Sequence, residues 1–227
     1  LAPAGGAPGK RYADTIDIYA REGSFPDLSI ARIAIFGVNE DRNAIGNEGC
    51  AWGADRVRRH LYGLFNGQDR AGVADLGNIM QGHTVDDTYF AVTNVVEALV
   101  MNNIVPVIIG GGQDLTYAVY RAYEQLGQII NIVAVDPMFD LGSNSSELHS
   151  RSYLSRIILH QPNYLFNYTN IGFQSYYVDR DAVALMDKLF FDIYRLGNVR
   201  ENMDEVEPVV RNADMLSIDI GAVRSAD

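Results

Sequence analysis

Short runs of apolar, mostly β-branched residues recur along this chain of 227 residues, and they constrain its fold more than any other feature. The runs lie at residues 31–38, 104–112, 128–136, 170–173 and 214–220. None of them alternates strictly between apolar and polar residues. Each is therefore predicted to be a strand that is covered on both faces, as strands of a parallel sheet are.

Stretches with helical spacing separate these runs. The clearest lies between Asp86 and Asn103, where Val92, Val96 and Leu99 recur at intervals of three and four residues. Weaker helical patterns occur at residues 54–65, 115–126, 180–190 and 204–211. Strands that alternate with helices predict right-handed crossovers and an α/β domain of three layers, α/β/α, with a mostly parallel central sheet.

Length and composition limit the domain count and the partners. The length suits one α/β domain, which we expect at residues 29–227, and residues 1–28 are expected to form a leader or extension because Ala, Pro and Gly dominate their start. The formal net charge is −11 and no block of Lys or Arg occurs, so we do not expect nucleic acid as a partner. No apolar run is long enough to predict a membrane span. A single cysteine, Cys50, and the lack of a signal-peptide pattern favour a cytoplasmic location.

Acidic side chains follow the predicted strands at their carboxyl ends, where parallel sheets bind ligands. Asp136 ends the third run and Asp140 follows it, and Asp219 lies in the last run. Asp136, Met138 and Asp140 are spaced by two, so they share one face if the backbone stays extended. Carboxylates brought together raise each other's pKa unless a cation or a basic group compensates. A single Asp at a strand end is more often a helix cap or turn former, so the spacing leaves both interpretations open.

Five segments of the chain resemble, in order, the signature segments of the ureohydrolase superfamily, which contains arginase, agmatinase and formimidoylglutamase. They are GVNEDRNAIGNEGCAWGADRVRRHLY, IVPVIIGGGQDLTYA, IVAVDPMFDLG, NIGFQS and LSIDIGAVRSAD. The resemblance covers about residues 29–227 and is closest to the formimidoylglutamase branch, through GGGQDLTYA and the Gly-rich N-terminal segment. It implies an arginase-like fold. The superfamily pattern continues past the last segment, so we expect the C-terminal part of that fold to be missing.

The resemblance also implies a metal chemistry. Members of the superfamily hold two manganese ions with a bridging hydroxide, which attacks the carbon of a guanidinium or amidine group. Their six ligand positions match Gln113, Asp136, Met138, Asp140, Asp219 and Gly221 of this chain. The three aspartates are kept, whereas glutamine and methionine replace two histidines and glycine replaces an aspartate. A carboxamide is a weak neutral donor, a thioether is too soft for manganese, and glycine has no side chain.

We therefore expect a noncatalytic relative that has lost its dinuclear manganese site and serves as a binding or assembly subunit, with no catalytic residue. Asp136, Asp140 and Asp219 are expected to hold no metal or one weakly bound divalent cation. The candidate residues of the substrate cleft are Gln113, Met138, His149 and Gly221, and the expected partners are a small guanidino or amidine ligand, a homo-oligomer or another protein. The alternative is an active C–N hydrolase of formimidoylglutamase type with an altered metal site. A third possibility is a small-ligand sensor without metal.

Overall fold

The computed structural model describes residues 11–19, 24–66, 72–142 and 147–223. The chain divides into two compact units, Leu1–Gly112 and Gln113–Asp227. Each unit contains a four-stranded sheet in which every strand is parallel to its neighbours. Much of the predicted leader, residues 1–10 and 20–23, lies outside the described residues, and the domain boundary at residue 29 stays a prediction.

The first unit has its strands in the order β1-β3-β2-β4. In chain order its elements are β1 (Asp17–Ile18), β2 (Ile33–Val38), α1 (Gly53–Leu61), β3 (Val73–Ile79), α2 (Val85–Met101) and β4 (Val105–Ile109). Strand β2 is the buried centre, with Ala34, Phe36 and Val38 almost without exposure. Helix α2 begins in a capping box, because the Thr84 hydroxyl accepts from the Asp87 N–H and the Asp87 carboxylate accepts from the Thr84 N–H.

The second unit has its strands in the order β7-β6-β5-β8. Its elements are α3 (Leu115–Gln125), β5 (Ile130–Val135), α4 (Tyr153–Leu159), β6 (Leu165–Phe173), α5 (Arg180–Lys188), β7 (Asp192–Arg195), α6 (Leu196–Glu201), α7 (Glu207–Arg211) and β8 (Met215–Ile218). Strand β5 buries side chains on both faces: Ile130 and Ile132 join one apolar cluster and Val133 joins the other. A strand covered on both faces is what its continuous apolar run predicts.

The five predicted strands are all present, but the sequence patterns miss β1, β3 and β7. Strand β3 is missed because Asp75 and Asn78 interrupt its apolar residues, and the structure shows why they are tolerated. Asp75 is 1% exposed and its two carboxylate oxygens accept from the Arg58 guanidinium at 2.8 and 2.9 Å. A buried ion pair between Asp75 and Arg58 of α1 therefore occupies a position where the strand pattern predicts an apolar side chain. Among the helices, α4 and α6 are missed, because seven and six residues are too few to establish a period.

Within the described part of the chain, no helix combines the length and the apolar character that crossing a bilayer requires.

Candidate functional site

Asp136 and Asp140 lie in the turn that follows β5 in the second unit. Asp136 is fully buried and Asp140 is 6% exposed. The Asp136 Oδ1 atom accepts a hydrogen bond from the Met138 N–H at 2.7 Å, and the Asn170 amide donates to the Met138 carbonyl at 2.8 Å. Asp140 has a φ of 50°, in the left-handed region that Asp and Asn adopt more readily than most residues. Local turn chemistry therefore brings the two carboxyl groups back toward each other.

We call Asp136 and Asp140 the carboxyl pair, because each carboxyl group lies close enough to shift the pKa of the other. Their Oδ2 atoms are both buried, and no N–H or O–H group of the described residues donates to either. Burial raises the pKa of Asp136. Burial, followed by the nearby charges of Asp136 and Asp219, raises the pKa of Asp140 to about 9, while Arg151 opposes the rise. Ionising both carboxyl groups at once is therefore unfavourable in this buried turn.

Asp219 follows β8 and caps the short 3-10 turn Ile220–Ala222. Its Oδ1 atom accepts from the Gly221 N–H at 2.6 Å. Asp219 lies close enough to raise the pKa of both members of the carboxyl pair. Its own hydrogen bond, however, is to the backbone of the turn. The three aspartates do not converge on one point: in the described ranges, no group of three or more His, Cys, Asp or Glu side chains could hold a metal ion.

Gln113 joins the carboxyl pair to a buried hydroxyl network. Its Nε2 atom lies 3.4 Å from both the Tyr153 hydroxyl and the Ser217 Oγ, and its side chain lies close enough to Asp136 to lower the pKa of that carboxyl group. Ser217 is held in turn by Thr116, at 2.9 Å between the two hydroxyl oxygens. The carboxamide that occupies the first ligand position of the superfamily pattern is therefore used as a hydrogen-bonding side chain.

Tyr153, Tyr168 and Asn170 are buried beside this network, and sequence reasoning identified none of them as a site residue. Both tyrosines have no exposure, and burial raises the pKa of each phenol well above its ordinary value. The Tyr168 hydroxyl has no hydrogen-bond partner among the described residues. A single polar residue within an apolar run, as Asn170 is in NIGF, is the only local signal, and it does not indicate a partner.

The other predicted cleft residues are placed as follows. Met138 is half-buried and is held through its backbone on both sides. Gly221 is exposed, and its N–H is the donor to Asp219. His149 is half-buried in the turn before α4, where its Nδ1 atom accepts from the Arg151 N–H at 3.2 Å. The imidazole therefore hydrogen-bonds within its own turn. A role for His149 in a substrate cleft stays a prediction.

Glu40, which follows β2 in the first unit, is a strand-end acid with a structural role. It has no exposure, and both of its carboxylate oxygens accept from the Arg42 guanidinium at 2.9 and 2.6 Å. The Thr88 hydroxyl adds a third hydrogen bond at 2.8 Å.

Solved structures similar to this one are arginase-type enzymes. Formimidoylglutamase from Bacillus subtilis has a TM-score of 0.76 at 17% identity, over 96% of this chain and 73% of that one. Trypanosoma cruzi formiminoglutamase with Mn²⁺ has a TM-score of 0.75 at 17% identity, over 96% and 72%. The agmatine ureohydrolase of Thermoplasma volcanium has a TM-score of 0.68 at 22% identity, over 92% and 70%. At these identities the likeness shows the fold alone, and it confirms the predicted three-layer α/β fold of arginase type.

Comparison with curated protein sequences finds no significant match. The sequence profile of the Arginase family, in contrast, matches residues 31–226, which is most of the chain. The chain belongs to the arginase family.

Proposed function

We propose that this arginase-family chain has lost the dinuclear manganese centre and acts as a noncatalytic binding or assembly subunit. The observation that carries the proposal is the donor set around the carboxyl pair. A related structure, Trypanosoma cruzi formiminoglutamase, contains Mn²⁺, so manganese is the group to test against the residues present.

Two manganese ions do not fit this donor set. Manganese prefers carboxylate and imidazole ligands. Here Gln113 uses its amide N–H groups toward Tyr153 and Ser217, Met138 offers a thioether, and Gly221 offers no side chain. Asp219 is committed to the Gly221 N–H. The two other carboxyl groups, those of Asp136 and Asp140, are too few to hold two ions without the missing side chains.

The first test is the metal content of the purified chain. We expect less than one tightly bound manganese per chain after incubation with Mn²⁺ and gel filtration, measured by inductively coupled plasma mass spectrometry. The matched variant carries Gln113→His, Met138→His and Gly221→Asp together and should bind more manganese than the wild type. A side chain at position 221 places its Cβ 3.1 Å from the Asp219 Oδ1 atom, so that carboxylate must shift by a few tenths of an ångström. Two tightly held ions in the wild-type chain would refute the proposal.

A second candidate is an active amidine or guanidino hydrolase with an altered, mononuclear metal site. One observation favours it: the buried Oδ2 atoms of the carboxyl pair receive no N–H or O–H donor from the described residues, and a hard cation would satisfy both. This candidate predicts release of urea or formamide from arginine, agmatine or formimidoylglutamate, abolished by Asp136→Ala. Our proposal expects no release with any of the three substrates. Stabilisation by these compounds without turnover, seen as a rise in melting temperature, would indicate a sensor.

The assembly role is supported by strand β8. Among the described residues β8 pairs only with β5, so it ends the sheet of the second unit, and Leu216 and Ile218 on one of its faces are 45% and 57% exposed. Strands at the end of a sheet can pair with other chains. We expect a homo-oligomer by analytical ultracentrifugation, and a monomer at all concentrations would contradict this part of the proposal.

A further inference from the structure

A cavity of about 310 Å³ lies in the second unit at the carboxyl ends of β6 and β7. On one side it is lined by Phe173 and by residues 174–176, which follow β6, and on the other by residues 195–198 and Glu201. It shares no residue with the carboxyl pair or with Gln113, Met138, His149 and Gly221. We call it the Arg195 cavity.

The floor of the cavity is anchored in the core. Phe173 is 9% exposed, and its ring packs against the buried Phe139 ring with centroids 5.1 Å apart. A buried aromatic floor resists collapse of the cavity, because filling it would need core side chains to leave their packing. The position also suits a ligand, since parallel sheets bind ligands at the carboxyl ends of their strands.

The size of the cavity restricts the ligand. Ligand pockets for drug-sized molecules occupy about 300–1,000 Å³, and this cavity is at the lower end of that range. A folded peptide is too large for it. A molecule of amino-acid size fits.

The charged residues that line the Arg195 cavity indicate which class of ligand it can bind. No salt bridge of the described residues uses Arg195, although the chain has a net charge of −11 and acidic partners are abundant. Glu201 on the same lining is not ion-paired with it either. The amides of Gln174 and Asn198 line the same cavity, and the Gln174 Oε1 atom already accepts from the Tyr176 hydroxyl. A guanidinium with free donors binds a carboxylate through two parallel hydrogen bonds.

We propose that the Arg195 cavity is a binding site for a small carboxylate ligand, with Arg195 as its anchor. The ligand carboxylate contacts the guanidinium, and its carbon chain lies over Phe173. Glu201 repels the ligand and limits its affinity. The site is separate from the proposed loss of the manganese centre, so either proposal can fail without the other.

The test uses glutarate as the probe and glutaramide, its uncharged counterpart of the same shape, as the control ligand. Isothermal titration calorimetry of the full chain at low ionic strength should show glutarate binding at millimolar concentrations or tighter, and no glutaramide binding. Arg195→Gln should weaken glutarate binding at least tenfold. Arg200→Gln removes the same charge from an exposed position on α6 outside the lining, and it should change the affinity less than threefold.

Glu201→Gln distinguishes a binding role from a structural one, because it should strengthen glutarate binding severalfold while Arg195→Gln weakens it. A general disturbance of the cavity would weaken binding in both variants. Circular dichroism of each variant checks that it is folded. The proposal is overturned if glutarate does not bind, if glutaramide binds equally well, or if Arg195→Gln and Arg200→Gln have equal effects.

Discussion

Replacing Glu40 with glutamine should destabilise the first unit by about 3 kcal/mol at neutral pH. Burial by itself raises the pKa of Glu40, but hydrogen bonds from Arg42, Thr88 and Gln81 outweigh it and lower the pKa to about 2. An unperturbed glutamate titrates near pH 4.3, so the shift is roughly two units, and each unit corresponds to about 1.4 kcal/mol. Glu40→Gln keeps the size of the side chain but removes the charge that the Arg42 guanidinium contacts at 2.6 Å.

The pH dependence has a definite sign. Because folding lowers the pKa of Glu40, its contribution is fully present above the unfolded pKa of about 4.3 and is lost as the pH falls toward 2. The free energy of unfolding, measured by urea denaturation and circular dichroism, should therefore differ most between wild type and Glu40→Gln at neutral pH. The difference should shrink as the pH falls below about 4.

The matched control is Glu48→Gln, which removes the same charge from an exposed position of the first unit and should cost less than about 0.5 kcal/mol. A double-mutant cycle with Arg42→Gln isolates the pair, since Arg42 alone leaves a buried carboxylate without its partner. Our reasoning is refuted if Glu40→Gln costs no more than Glu48→Gln, or if the difference from wild type is the same at every pH.

Two further predictions concern the second unit. Folding raises the pKa of Asp140 to about 9, first through burial, so wild-type stability should fall as the pH rises from about 4 to about 9. Asp140→Asn removes the titrating group and should flatten this fall in melting temperature, whereas the exposed Asp187→Asn should leave the slope unchanged. Ile157→Ala removes a side chain with no exposure from the main apolar cluster, so it should cost about 2–5 kcal/mol in urea denaturation. A cost below about 1 kcal/mol would mean that this part of α4 is not packed as described.

The carboxyl pair illustrates how far sequence reasoning reaches. That Asp136 and Asp140 follow a buried strand could be predicted, because a continuous apolar run marks a strand and the acids stand directly after it. That the two side chains meet could not be predicted from extended spacing, since Asp140 reaches Asp136 through a left-handed backbone conformation. The network that surrounds them comes from residues distant in sequence, such as Tyr153 and Asn170.

The residues by themselves determined the parallel α/β class, five of the strands and the superfamily resemblance, because these depend on local periodicity and on motifs that are read in order. Tertiary structure alone decided which polar groups could be buried. Asp75 lies in a strand because Arg58 reaches it from α1, and Glu40 is buried because Thr88 reaches it from α2 and joins its near neighbour Arg42. The free energy of a buried charge depends on its partners, and a partner from another element leaves no trace in the local pattern.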